Sequence, residues 1–284
     1  MVEAVLSYLW AAILASLTQI GIFLVPGLVL TLIMNYASTL MQRRALATIG
    51  KSWFLGLFGW LGTVIHELGH AFFCLIFRHK ITAMKLFDPD PETGTLGYVE
   101  HTYDSSNIYH LVGNFFIGIG PILLGTALIY ILLFLLLGLN PFNFVTNVDL
   151  AMPHIYSWGI LTTTIQTFWS SSTGLISEIF SGNNLSTWQL YVFIYLAFAI
   201  GSSITLSPSD IKGTLKGLSV ILILVFIFNL ATVWAGDLTS NIFKGTISYF
   251  LVFYISMFLI LLMDIFVSFV LLLPLSLMTR HSKR

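Results

Sequence analysis

The sequence predicts an all-α polytopic membrane protein of about six transmembrane helices, with a small β-hairpin after the second. Three observations carry this. Of the 284 residues, 57% are hydrophobic and only 8% charged. The apolar residues gather in six long runs, and a short segment rich in Asp, Pro, Glu and Gly follows the second run. A soluble domain carries about 25% charged residues because its surface needs them. A chain this poor in charge cannot cover a water-facing surface, so its exterior faces lipid.

About 20 apolar residues cross a hydrocarbon core of roughly 30 Å. The first run, about Leu6 to Met34, is too long for a cleaved leader and is preceded by Glu3 rather than a basic cluster; it reads as a retained span with a kink at Pro26. The second covers Trp53 to Phe77. From Lys80 to Asp104 the chain reads KITAMKLFDPDPETGTLGYVEHTYD, two β-branched and aromatic segments around a turn-forming centre, which is a hairpin signal. The third run covers Tyr109 to Leu139. The segment from Asn140 to Thr187 has no Lys or Arg, many Ser and Thr residues, and Trp158 and Trp169, and reads as an outer loop with interfacial segments. The remaining runs cover Trp188 to Leu206, Leu218 to Trp234, and Ile247 to Leu277, the last broken at Pro274. No repeat divides the chain, so 1–284 reads as a single membrane domain.

Twelve basic and twelve acidic residues balance, leaving no electrostatic footprint for nucleic acid. The single cysteine, Cys74, excludes an internal disulfide. If each run crosses once, Arg78, Lys80, Lys85, Lys212, Lys216, Arg280, Lys283 and Arg284 share one side, opposite the basic-free outer loop. By the positive-inside rule the hairpin and both termini are cytoplasmic, and the location expected is the plasma (cytoplasmic) membrane. Arg43, Arg44 and Lys51 fall on the other side.

Chemistry enters at residues 66–70, His-Glu-Leu-Gly-His, inside the second run. Positions i and i+4 share a helix face, so His66 and His70 aim at one point. Two neutral imidazoles suit Zn²⁺, and a catalytic site needs a third protein ligand plus an open position. Glu67 stands where a general base can take a proton from a zinc-activated water. From this chain's own His and Glu frequencies the spacing arises by chance about 0.003 times. Each ionisable group near the bilayer centre costs about 2.5–3.5 kcal/mol. Three within five residues argue for a metal or a polar cavity over a simple interhelical hydrogen-bond cluster.

The third ligand must come from elsewhere, and Asp210 is the candidate. It follows the fourth run, and Pro208 frees backbone that is tolerated only beside protein or a wet cavity. The competing reading is a helix N-cap, with Ser207 and Ser209 as rival caps. At 1.5 Å per residue the histidines lie about 15 Å from the inner end of their run, whereas Asp210 ends its own. The site closes only if the second helix projects inward or the chain near Pro208 dips into the membrane. His101 and His110 are candidates for oxyanion or substrate contacts, against the plainer reading of exposed loop histidines. Cys74 reads as a buried small hydrophobe and Glu178 as solvated surface. Asp264 is a further costly intramembrane carboxylate, with pairing, interhelical bonding and a water path all open to it.

These residues resemble the site-2 protease family of intramembrane zinc metalloproteases. The likeness rests on His66-Glu67-Leu68-Gly69-His70 in a membrane helix, the hairpin, Gly120-Pro121, and Asp210 after a proline. It covers roughly Trp53 to Lys216 and implies a metalloprotease core there, of a divergent or minimal member. The family's usual Asn-x-x-Pro-Asp-Gly stands here as Ser207-Pro208-Ser209-Asp210-Ile211. The usual Asn after Gly-Pro is absent, and Asn114 lies one to two turns earlier as a further oxyanion or substrate contact. The resemblance implies zinc on His66, His70 and Asp210, water activation by Glu67, and a transmembrane or membrane-anchored protein substrate whose peptide bonds are hydrolysed. The alternative is a non-catalytic membrane protein with a structural metal site, or a transport or scaffold role. A prenyl-processing protease needs a Glu on a later helix, where only Glu178 is offered, and a di-iron enzyme needs several histidine boxes.

Overall fold

The computed structural model describes residues 2–90, 92, 95–145 and 158–272. Pro274, the basic C-terminal residues and part of the outer loop lie outside them. Helix α1 (Val2–Phe23) runs into α2 (Val25–Ile49). Pro26 lacks the N–H that would meet the Ile22 carbonyl. The hydroxyl of Tyr254 reaches the Ile22 and Phe23 carbonyls at this point, donating to Phe23. α3 (Lys51–Phe54) continues through a π-turn (Leu55–Gly59) into α4 (Trp60–Ile76), which carries the HExxH residues. Strands β1 (Lys80–Lys85) and β2 (Tyr98–Thr102) pair antiparallel, Lys80 with Thr102 and Lys85 with Tyr98. The expected hairpin is therefore present.

The third apolar run is two helices, not one. α5 (Ile108–Gly118) ends at Ile119, and α6 (Gly120–Leu137) begins with Pro121 in its first turn, where a missing N–H costs nothing. α7 (Trp158–Ile179) and the single turn α8 (Gly182–Leu185) lie in the expected outer loop. α9 (Trp188–Gly201) stops five residues before the expected end of the fourth run, and α10 (Pro208–Thr232) starts ten residues before the expected fifth. α11 (Gly236–Val267) follows.

Among the described residues, five helical segments are long and apolar enough to cross a membrane: Val2–Ile49, Lys51–Ile76, Gly120–Leu137, Pro208–Ala235 and Gly245–Val270. The chain is thus a predominantly helical membrane protein by length and composition. Arg43 and Arg44 stand on α2 itself rather than in a loop, because that helix runs on to Ile49. The main core gathers around α11, whose Ile255, Met257, Ile260 and Met263 pack with Met34, Ile129, Leu175 and Phe193.

Without a hydrophobic driving force between helices in lipid, small residues and polar contacts decide packing. α4 meets α6 backbone to backbone: a Cβ on Gly69 would stand 2.6 Å from the Pro121 nitrogen, and one on Gly120 would stand 2.6 Å from the Gly69 carbonyl oxygen. α1 is tied to α10 by a reciprocal amide pair, Gln19 with Asn229, at 3.0 and 2.9 Å. Asp264 is fully buried, and Ser38 bridges it to α9, donating to the Gly201 carbonyl at 2.9 Å and lying 3.3 Å from Asp264 Oδ2. Of the three roles open to Asp264, this contact is interhelical bonding.

Gly69→Ala and Gly120→Ala should each lower stability in detergent by about 1–3 kcal/mol, the range for overpacking a close contact. Gly21→Ala, where nothing lies within 4 Å, should not. Thermal unfolding of the three variants checks this, and equal melting of all three would contradict the close approach.

Candidate metal centre

The site begins with one helical turn. His66 and His70 stand on the same face of α4, and each ring is oriented from behind by a backbone carbonyl. His66 Nδ1 donates to the Ser203 carbonyl at 2.9 Å, and His70 Nδ1 to the Ile117 carbonyl at 2.7 Å. A carbonyl only accepts, so both ring protons are committed to Nδ1 and both Nε2 atoms present lone pairs. Those two Nε2 atoms face each other at 3.2 Å. Asp210 Oδ1 lies 3.5 Å from His70 Nε2, and the three ligand atoms all lie within 4.8 Å of one another. With both rings neutral, three electron-rich atoms converge, an arrangement that suits a cation.

Zinc fits this donor set. Tetrahedral ligands about 2.0–2.1 Å from a zinc ion stand roughly 3.3 Å apart, against the 3.2 and 3.5 Å found here. Among the described residues three groups able to serve as ligands gather, one fewer than a structural zinc site uses. Cys74 is fully buried in the core, away from this group.

Asp210 serves two ends with its two oxygens. Ser207 is the N-cap of α10: its hydroxyl accepts from the Asp210 N–H at 3.2 Å, and Asp210 Oδ2 accepts from the Ser207 N–H at 2.8 Å. This is a capping box with Asp at its third position. The N-cap reading of Asp210 is therefore wrong, since its rival Ser207 takes the cap and Asp210 stands at the third helical position, where Oδ2 closes the box while Oδ1 turns to His70. The depth difficulty resolves through α9. Its 14 residues rise only about 21 Å, and the turn after it brings Ser203 to His66. The chain near Pro208 therefore stands level with the histidines.

That turn is held by a polar stripe that sequence reasoning missed. Asn35, Ser38 and Gln42 share one face of α2. Asn35 Oδ1 accepts from the Leu206 N–H at 3.1 Å, Ser38 donates to the Gly201 carbonyl, and Gln42 donates to the Ser202 carbonyl. The i, i+3, i+7 spacing of polar residues in an apolar helix was the available signal.

A cavity of about 600 Å³ opens over the cluster, lined below by His66, Glu67, His70 and Asp210. Glu67 is buried at its edge, and its carboxylate has no hydrogen-bond partner among the described residues. Above, Gly97, Tyr98, Val99, His101 and Tyr103, in and beside β2, line the cavity. Gly97 rests on Glu67, since a Cβ there would stand 2.9 Å from Glu67 Cγ. Lys216 ties the hairpin to α10, its ammonium donating to the Tyr103 hydroxyl at 2.6 Å. Asn114 also lines the cavity, and its Nδ2 is buried without a partner among the described residues. His110 does not line it; its Nδ1 accepts from the Asp104 N–H at 3.2 Å.

His79, which the sequence did not single out, sits beneath His101. The α4 helix ends with Arg78 at φ +57°, a strained turn for a residue with a side chain, and the His79 N–H donates to the Cys74 carbonyl at 2.8 Å. Burial, together with the neighbouring imidazole of His79, pushes His101 down to about 4, and burial also lowers His79. Comparison with protein-family models, with curated proteins and with solved structures returns no match to this chain.

The lowered histidines set a pH response. Below about pH 6.5 the unfolded chain binds protons that the folded hairpin refuses until about pH 4, so folded stability falls as pH drops through that window. Amide hydrogen exchange should show β1 and β2 losing protection between about pH 7 and about pH 5. Equal protection at both, after correction for intrinsic rates, would contradict the burial of these neutral rings.

Proposed function

We propose that this chain is an intramembrane zinc metalloendopeptidase, a divergent or minimal relative of the site-2 proteases, hydrolysing peptide bonds of transmembrane or membrane-anchored protein substrates. One observation carries the reading: two Nε2 lone pairs and a carboxylate oxygen converge in a mostly apolar helical packing, beside an unpartnered glutamate and under an open cavity. A structural zinc has four protein ligands, and three gather here among the described residues. That favours catalysis over a structural, transport or scaffold role.

In this reading His66, His70 and Asp210 hold the ion. Bound zinc supplies Lewis acidity, acidifying water and polarising a peptide carbonyl. Glu67 accepts a proton from the attacking water as the new C–O bond forms, and returns it to the amine as the C–N bond breaks. Asn114, whose amide rotates to offer either end, is the candidate donor for the developing oxyanion. The unpaired edge of β2 offers an extended substrate main-chain hydrogen bonds by β-augmentation. Val2–Ile49, α3–α4, α6, α10 and α11 are long enough to cross, and about six crossings follow if α9, too short to cross alone, does so together with the turn after it. The lysines and arginines of the hairpin and of the start of α10 then favour cytoplasmic placement of that side.

Zinc should co-purify with the wild type and with Glu67→Gln, while cleavage by that variant falls by roughly 10²–10⁴-fold. His66→Ala, His70→Ala and Asp210→Ala should lose the metal, whereas Ser219→Ala, on the same helix as Asp210 with its hydroxyl donating to the Leu215 carbonyl, should keep it. Metal analysis of the purified variants with a peptide-cleavage assay checks both. Zinc retained with cleavage intact in Glu67→Gln defeats the general-base assignment.

A further inference from the structure

The hydrogen bonds behind His101 fix which atom it shows the cavity. His79 is buried, and its Nε2 lies 3.0 Å from the His110 carbonyl. The carbonyl can only accept, so the His79 proton sits on Nε2 and its Nδ1 is a lone pair. That lone pair faces His101 Nδ1 at 3.1 Å. The contact is a hydrogen bond only if His101 carries its proton on Nδ1. His101 Nε2 is then unprotonated, and it has no partner among the described residues although the residue lines the cavity.

A group in this tautomer cannot donate to an oxyanion. It can accept. Gly97, Tyr98, Val99 and Tyr103 of the same segment line the roof with it. Gly97 lies against Glu67, and His101 is four residues further along, about 13 Å at 3.3 Å per residue. An extended polypeptide lying along this roof would bring a backbone N–H to His101 within the cavity that also holds His66, His70 and Asp210.

We infer that His101 is a peptide-binding residue, whose Nε2 accepts a hydrogen bond from a backbone N–H of an extended substrate lying in the cavity, and that His79 is the positioning residue that fixes its tautomer. The inference rests on the peptidase reading. It names a recognition element that reads main chain rather than side chain, and so tolerates many sequences.

Two measurements on the full-length, zinc-loaded protein test it. In nitrogen NMR of histidine-labelled protein, His101 should show a protonated Nδ1 and a bare Nε2, and His79→Phe, which keeps a ring to stack on Tyr103, should release that preference. A proton on His101 Nε2 in the wild type overturns the inference. The second uses valine–alanine peptide hydroxamates, from dipeptide to hexapeptide, and their singly N-methylated analogues. Methylation at one backbone nitrogen should weaken inhibition of the wild type by roughly 3- to 10-fold, the worth of one neutral hydrogen bond. His101→Leu should bind that analogue and its parent equally, and His101→Gln, which can still accept, should restore the difference. Hydroxamates that bind with no position sensitive to both methylation and His101→Leu overturn this inference alone. Zinc-loaded protein that binds none of them overturns the peptidase reading and this one together.

Discussion

Two imidazole nitrogens 3.2 Å apart, each with its proton pledged elsewhere, cannot rest against each other without a positive charge between them. That constraint organises the surrounding structure. The Ser203 carbonyl is available to His66 only because α9 stops at Gly201, and the Ile117 carbonyl is available to His70 only because α5 ends at the next residue, Gly118. Both helices break beside the cluster. Backbone groups freed by such breaks are tolerated at membrane depth only where protein or a wet cavity receives them. Here the histidines, the α2 stripe and the cavity do so.

Helix packing serves the same end. Gly69, between the two ligating histidines, lets α6 approach α4 at backbone distance, and Gly118 lets α5 approach the first turn of α10, where a Cβ would stand 2.7 Å from the Asp210 carbonyl oxygen. A larger residue at either point would move a ligand relative to its partners. Groups that orient a metal's ligands commonly matter 10–100-fold in affinity, so on the zinc reading the α2 face that holds the turn after α9 belongs to the site although it touches neither His66, His70 nor Asp210.

Much of this was legible in the chain. The i, i+4 histidines and their glutamate declare themselves by spacing, and Asp210 by following a proline at the end of an apolar run. The hairpin showed in its turn residues. What was hidden depends on tertiary contact. A carbonyl acceptor such as Ser203 has no side-chain signature, so the orienting atoms could not be read. His79 looked like a loop residue after a helix, and only the strained Arg78 turn brings it under His101. The third apolar run gave no sign of its break beyond Gly120-Pro121, because hydropathy is blind to a one-residue interruption. Asp210 appeared to face a choice between ligand and N-cap, because the sequence alone does not show that the helix begins at Pro208 and so leaves the cap to Ser207.

X-ray absorption at the zinc edge of the purified wild-type protein tests the central claim most directly. The account predicts a four-coordinate zinc whose scattering requires two imidazoles and otherwise only oxygen, at about 2.0–2.2 Å. A sulfur neighbour, a third imidazole, or protein free of divalent metal would contradict it.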